Sequence, residues 1–224
     1  MDINKFLEIY WNYYYQLESD FFALEPYCAI DKVNDSAFST KYLHLILSIC
    51  GEIDTICKRM CSCLEPDMDI NTCGINDYKN VLMAHYPKIA DEKVNIKQHI
   101  YRDVKPWQTW AHKNTPHWWS IYNKVKHHRD EVWNGKEAYK YANQKTTIEA
   151  LCALYIVLEY WAVYNFVLNN EDKNSHKMLQ VQSKHLTLVD WNYFYSHFMG
   201  NFFFESEKCR YYFTRTEEME EVGV

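Results

Sequence analysis

Glycine and proline are scarce in this chain, with five of each in 224 residues. Sandwiches and barrels of β-strands need frequent turns, so this scarcity argues against them and favours long helices. Net positive charge is lacking as well. The formal charge is −6, so any nucleic-acid surface must be a local patch rather than a global basic footprint. The N-terminus, MDINKFLEIYWNYYY, carries acidic residues and no clean apolar segment, unlike an export signal. No apolar run of membrane-spanning length is free of polar interruption. The nearest, LCALYIVLEYWAVYNFVL (151–168), contains Glu159 and Asn165 and reads as a buried helix, so no membrane association is expected.

What the chain has is core-forming material: 48% hydrophobic residues and 17% aromatics, enough to bury a sizeable interior. The length fits one large domain, or one domain with an appendage. Eight cysteines without an export signal point to reduced thiols and a cytoplasmic protein. Cys57, Cys61 and Cys63, with Cys73 beyond, raise the question of zinc. The paired C-x-x-C spacing of most zinc ribbons is missing, however, and Cys50, Cys57 and Cys61 fall on the apolar arc of a helix as small buried hydrophobes do. No metal ligand is assigned from the sequence.

Apolar residues at helical spacing (Phe6, Ile9/Tyr10, Tyr13/Tyr14, Leu17, Phe21) predict a first helix over 3–24, ended by Pro26. After the polar stretch DKVNDSAFS, Ser39 is placed to cap a helix over 40–63. On a wheel of 100° per residue, Tyr42, Leu45, Ile46, Ile49, Cys50, Ile53, Ile56 and Cys57 cover one broad arc, with Leu43 and Leu47 beside them. So wide an arc suits a helix packed by neighbours on two sides. Glu52 and Asp54 stand at its opposite borders. A short helix over 76–86, capped by Asn76 or Asp77 and stopped by Pro87, precedes an irregular region with strand character around VNIKQHIYR. A helix over 118–133 ends at Asn134-Gly135, taken as a stop signal, and a last long helix covers 137–168. Beyond it, LQVQSKHLTLV alternates like a strand, FMGNFFF resembles an aromatic turn, and the tail RTEEMEEVGV is acidic.

The stretch WWSIYNKVKHHRDEVW (118–133) mixes core-forming and chemistry-bearing residues. Ile121, Val125 and Val132 gather on one side of the wheel and define its packing face. Asn123, His127 and Asp130 share a narrow sector pointing away, with Trp119 close by and Lys126 and Tyr122 on the shoulder. Asn and His at i,i+4 can position a phosphate or serve acid–base chemistry, because histidine titrates nearest neutrality. The same spacing also suits a solvated polar face.

Three stretches carry a resemblance: FSTKYLHLILSICGEIDTICK (38–58) with its E-x-D, WWSIYNKVKHHR (118–129) with N-x-x-K-H, and TTIEALCALYIVLEYW (146–161). Together they resemble the HEPN superfamily of helical domains, and more narrowly a group of uncharacterised bacterial proteins of that kind. The resemblance implies an all-α, HEPN-like helical bundle over 1–175 with a small irregular C-terminal extension over 176–224. It also implies pairing into a homodimer and, in active members, a metal-independent RNase site in the shared groove that uses no cofactor. There Asn123 would orient, His127 would be acid and base, and Lys126 or Arg129 would hold phosphate. Trp119, Tyr122, Asp130, Glu52 and Asp54 would line the binding surface. Tyr122 stands where the RNase signature has arginine, and a tyrosine cannot supply a positive fork to a phosphorane-like transition state. Two functions are therefore expected to compete. One is a ribonuclease of a bacterial toxin or anti-phage system. The other is a non-catalytic module that binds a protein partner, a nucleotide or RNA through 118–133.

Overall fold

In the computed structural model, which describes residues 1–112, 114–165 and 183–189, the chain begins as one helical rod in three parts. These are α1 (Ile3–Phe6), a π-helical stretch Leu7–Trp11, and α2 (Asn12–Phe22). The wider π turn shifts the register of the helix. Tyr10 and Trp11 both face inward, while Ile9 and Tyr13, placed on the apolar face by spacing, are exposed. Downstream, Tyr14, Leu17 and Phe21 are buried at the expected positions.

Helix α3 (Thr40–Leu64) starts where its cap predicts, with the Ser39 hydroxyl accepting from the Tyr42 amide at 3.2 Å. Its predicted arc is the arc that is buried, and Leu43 and Leu47 lie partly buried at the edge. Helix α4 (Ile75–His85) begins one residue earlier than expected because Gly74 is the cap. Asp77 reaches back to accept from the Gly74 amide at 2.9 Å. Strand β1 (Val94–Ile96) and helix α5 (His117–His127) follow.

Two further boundaries, the end of α5 and the start of α6, differ more widely from expectation. Asn134 (φ 48°) and Gly135 (φ 84°) both occupy left-handed backbone conformations, as the two central residues of a tight hairpin do. They join β2 (Val132–Trp133) to β3 (Lys136–Glu137) in an antiparallel pair. Asn134-Gly135 is therefore a hairpin turn, not a helix stop. Because Val132 and Trp133 are drawn into it, α5 ends at His127, and Val132 is 70% exposed instead of packing with Ile121 and Val125. Likewise α6 (Gln144–Val163) starts at its Asn143 cap, which accepts from the Thr146 amide at 3.0 Å, and not at residue 137.

Helix α6 is the centre of the fold. Apart from Lys145 and Glu149, all of its residues are buried. By length and composition it could cross a membrane, yet 94% of its apolar window is covered by the rest of the protein. It runs alongside α3 in the same direction: Gln144 at its start meets the Tyr42 hydroxyl near the start of α3 at 3.3 Å. The N-terminal rod runs the opposite way, with Tyr10 of its π-helical stretch against Trp161 and Tyr14 of α2 stacked on Tyr155 at 5.6 Å. Helix α5 packs on both α3 and α6.

Within the C-terminal extension, residues 183–189 are stitched into this same core. Strand β4 (Leu186–Leu188) pairs antiparallel with β1, and Leu186 and Leu188 are both buried. Each such side chain contributes roughly 1.5–3 kcal/mol. The aromatic stretch FMGNFFF, the acidic tail and positions 166–168 of the last predicted helix lie outside the described residues.

Candidate functional site

Helix α5 presents the polar face anticipated for it, but a narrower one. Trp118, Trp119, Ile121, Tyr122 and Val125 are all buried, because α5 is covered from two sides and by the 3-10 turn Ala138–Tyr141. Trp119 is therefore a correction. It is only 5% exposed, and its ring packs on Trp118 and Tyr122 at 5.8 and 5.1 Å. On the wheel it lies about 40° from Asn123, at the edge of the buried arc rather than beyond it. Tyr122 is buried as well.

Asn123, Lys126 and His127 remain exposed along the last turns of α5. Lys126 Nζ lies 5.3 Å from the centre of the Tyr122 ring, a cation–π contact at the rim of the buried arc. Arg129 and Asp130 are exposed too, but they follow the helix in the turn leading to β2. Asp130 therefore does not share the Asn123–His127 helical sector. The basic side chains divide into two sets. Lys124 and His128 both bind Glu131, at 2.9 and 2.7 Å, and these contacts hold the Glu131 carboxyl below its usual range, Lys124 first and His128 second. Lys126, His127 and Arg129 have no ion pair among the described residues. The basic last turn also complements the helix dipole, which gives Lys126 and His127 a structural reason to be there.

The two α3 carboxylates stand apart from this face. Asp54 accepts from the Tyr78 hydroxyl at 2.7 Å and pairs with Lys58 at 2.8 Å, so it fastens α4 to α3. Glu52 is partly buried with no hydrogen bond or ion pair among the described residues, and burial pushes its carboxyl up to about 7. Neither is linked by hydrogen bond or ion pair to Asn123 or His127. Cys57 and Cys61 are buried in the core and Cys63 is exposed. Burial raises the Cys57 thiol well above its usual range and the Cys61 thiol to about 12. Among the described residues, no group of three or more His, Cys, Asp or Glu side chains gathers to hold a metal ion.

A second locus has no counterpart in the sequence motifs. A cleft of about 620 Å³ opens between α2 and residues 184–185, lined by Tyr15, Glu18, Ser19, Phe22, Ala23, Lys184 and His185. No periodicity or spacing could mark it, because its two walls are separated by some 165 positions along the chain. No protein family, curated protein or solved structure matches this chain.

Proposed function

We propose that this chain is a HEPN-like helical binding module that grips the phosphate backbone of RNA through the exposed end of α5, and that it does not cleave the RNA. The observation that carries this is the unspent charge of Lys126 and Arg129, which are exposed beside the His127 position on an acidic chain and have no carboxylate partner among the described residues. Phosphate contacts of this kind give affinity without requiring a transition state to be steadied. Catalysis is disfavoured by Tyr122. It is buried where the nuclease signature has arginine, so no guanidinium stands beside Asn123 to meet developing charge.

A second reading, a metal-independent RNase working across a homodimer, rests on Asn123 and His127 being exposed one helical turn apart. Trp119, being buried, contributes no aromatic platform to such a groove.

One assay separates the two. A labelled single-stranded RNA is titrated with the protein in EDTA at about 50 and 200 mM salt, and the RNA is then checked for cleavage. The expected outcome is saturable binding that weakens steeply with salt, drops roughly tenfold or more in the Lys126→Glu/Arg129→Glu variant, and leaves the RNA intact. Absence of binding at the lower salt, or binding indifferent to the charge reversals, sinks the proposal. Cleavage that survives EDTA and disappears in His127→Ala establishes the RNase instead.

A further inference from the structure

The cleft beside α2 is built around a buried carboxylate whose hydrogen bonds are fully committed. Glu18 is 1% exposed. Its Oε1 accepts from the Ser183 hydroxyl, from the His185 amide at 3.0 Å and from the Tyr14 hydroxyl at 3.3 Å. Its Oε2 accepts from the Lys184 amide at 3.3 Å. This carboxylate therefore shapes the cleft floor and has little capacity left for a ligand.

The remaining polar groups of the wall have a consistent character. Lys184 is exposed, and its ammonium has no ion pair among the described residues. The Ser19 hydroxyl lies exposed on the α2 wall with no hydrogen bond of its own among the described residues. The His185 ring stacks flat on Phe22 at 3.8 Å, which fixes its plane, and its ring nitrogens bind nothing among the described residues. Burial keeps that imidazole below its ordinary pKa, with Glu18 and Glu25 opposing and with Lys184 and His99 reinforcing the shift. Near neutrality it is thus a neutral donor and acceptor. An ammonium, a hydroxyl and an imidazole are a donor-rich set, while Phe22, Ala23 and the Tyr15 ring supply apolar wall. The volume falls within the range of small-molecule sites.

We infer that this cleft binds a small anion with an apolar body, a carboxylate or a phosphate monoester, with Lys184 and Ser19 holding the anionic end and the Phe22–His185 wall flanking the body. The site is separate from the α5 surface, since no α5 residue lines it. It therefore stands or falls independently of RNA binding.

The test uses the full chain and four probes: benzoate, phenyl phosphate, inorganic phosphate, and sodium chloride at matched ionic strength. Binding is followed by calorimetry up to about 10 mM probe. Saturable binding of benzoate or phenyl phosphate, weakened roughly tenfold in both Lys184→Ala and Ser19→Asp and unchanged in Lys126→Ala, supports the site. The tighter of the two probes identifies the head group as carboxylate or phosphate. Ser19→Asp works at an exposed position and adds a repelling charge, so it tests the anion without disturbing the core. Three outcomes overturn the inference: no saturable binding by either organic anion, a response that sodium chloride reproduces, or binding lost in Lys126→Ala but kept in the two cleft variants. Saturation by inorganic phosphate alone, with neither organic probe binding, also overturns the role given to the apolar wall.

Discussion

Glu52 stands at one border of the apolar arc of α3, and partial burial makes its charge costly at neutral pH. Its folded-state carboxyl titrates at about 7, while an unfolded glutamate titrates near 4.3. The raised value means the native state holds a proton more tightly than the unfolded chain. Its contribution is thus most favourable below about pH 4.3 and is lost as pH rises through 7. Glu52→Gln keeps the shape and removes the ionisation. We expect it to be near neutral in effect at pH 5 and to stabilise by about 1 kcal/mol at pH 8, a figure reduced to allow for the partial exposure of the side chain. Chemical denaturation at the two pH values decides the matter. A variant that is equally stable to wild type at both, or less stable at pH 8, shows that Glu52 has a partner in solution. Asp54, two residues along, makes the contrast clear. Its two oxygens are met by Lys58 and Tyr78, and it works as a fastener.

Elements whose signals are local were legible in the sequence, and those decided by competition between signals were not. The α3 cap, arc and borders follow from Ser39 and the apolar spacing alone. The end of α5 does not, because two rules compete for Asn134-Gly135, a left-handed helix stop and a tight hairpin turn. The hairpin prevails where the flanking residues can pair, as Val132 with Glu137 and Trp133 with Lys136 do. The Trp133 carbonyl also accepts from the Tyr141 hydroxyl at 2.6 Å, which holds the hairpin against the start of α6. Of the candidate site, the exposed Asn123–His127 pair was legible. The burial of Trp119 was not, because one helix wheel does not reveal how many neighbours cover it. The hairpin yields its own prediction. Nothing lies within 4 Å of where a Cβ on Gly135 would stand, so Gly135→Ala is opposed only by its backbone conformation at φ 84°. The expected cost is about 1 kcal/mol, read as a lower urea midpoint with an unchanged slope. No loss would mean that the turn relaxes into another type without penalty.

At the scale of the whole molecule, closure of the fold depends on a contact between its distant parts. Glu18 on α2 gathers the Ser183 hydroxyl and the amides of Lys184 and His185. From the other side the 183–189 segment is held by Lys97, whose ammonium donates to the Ser183 carbonyl and whose amide donates to the His185 carbonyl, both at 2.8 Å. Pairing of β4 with β1 then lays Leu186 and Leu188 over the core. Joining residues so far apart in sequence carries a loop-closure cost that these contacts must offset. Glu18→Ala removes the shared acceptor and leaves the buried Ser183 hydroxyl and neighbouring donors short of partners, at about 1–3 kcal/mol for each donor truly stranded. The loss should be local before it is global. Hydrogen exchange at the amides of Thr187 and Val189, which face β1 in the antiparallel register with Val189 donating to the Lys93 carbonyl at 3.0 Å, should accelerate well beyond that of α3 and α6, because β4 can detach while the paired central helices stay packed. Glu18→Gln, which keeps one acceptor oxygen, should fall between wild type and the alanine variant. If exchange in Glu18→Ala rises equally in β4 and α6, the segment is not a separable strap but part of one cooperative core. If it does not rise at all, the β1–β4 pairing and the buried leucines hold the segment without the carboxylate.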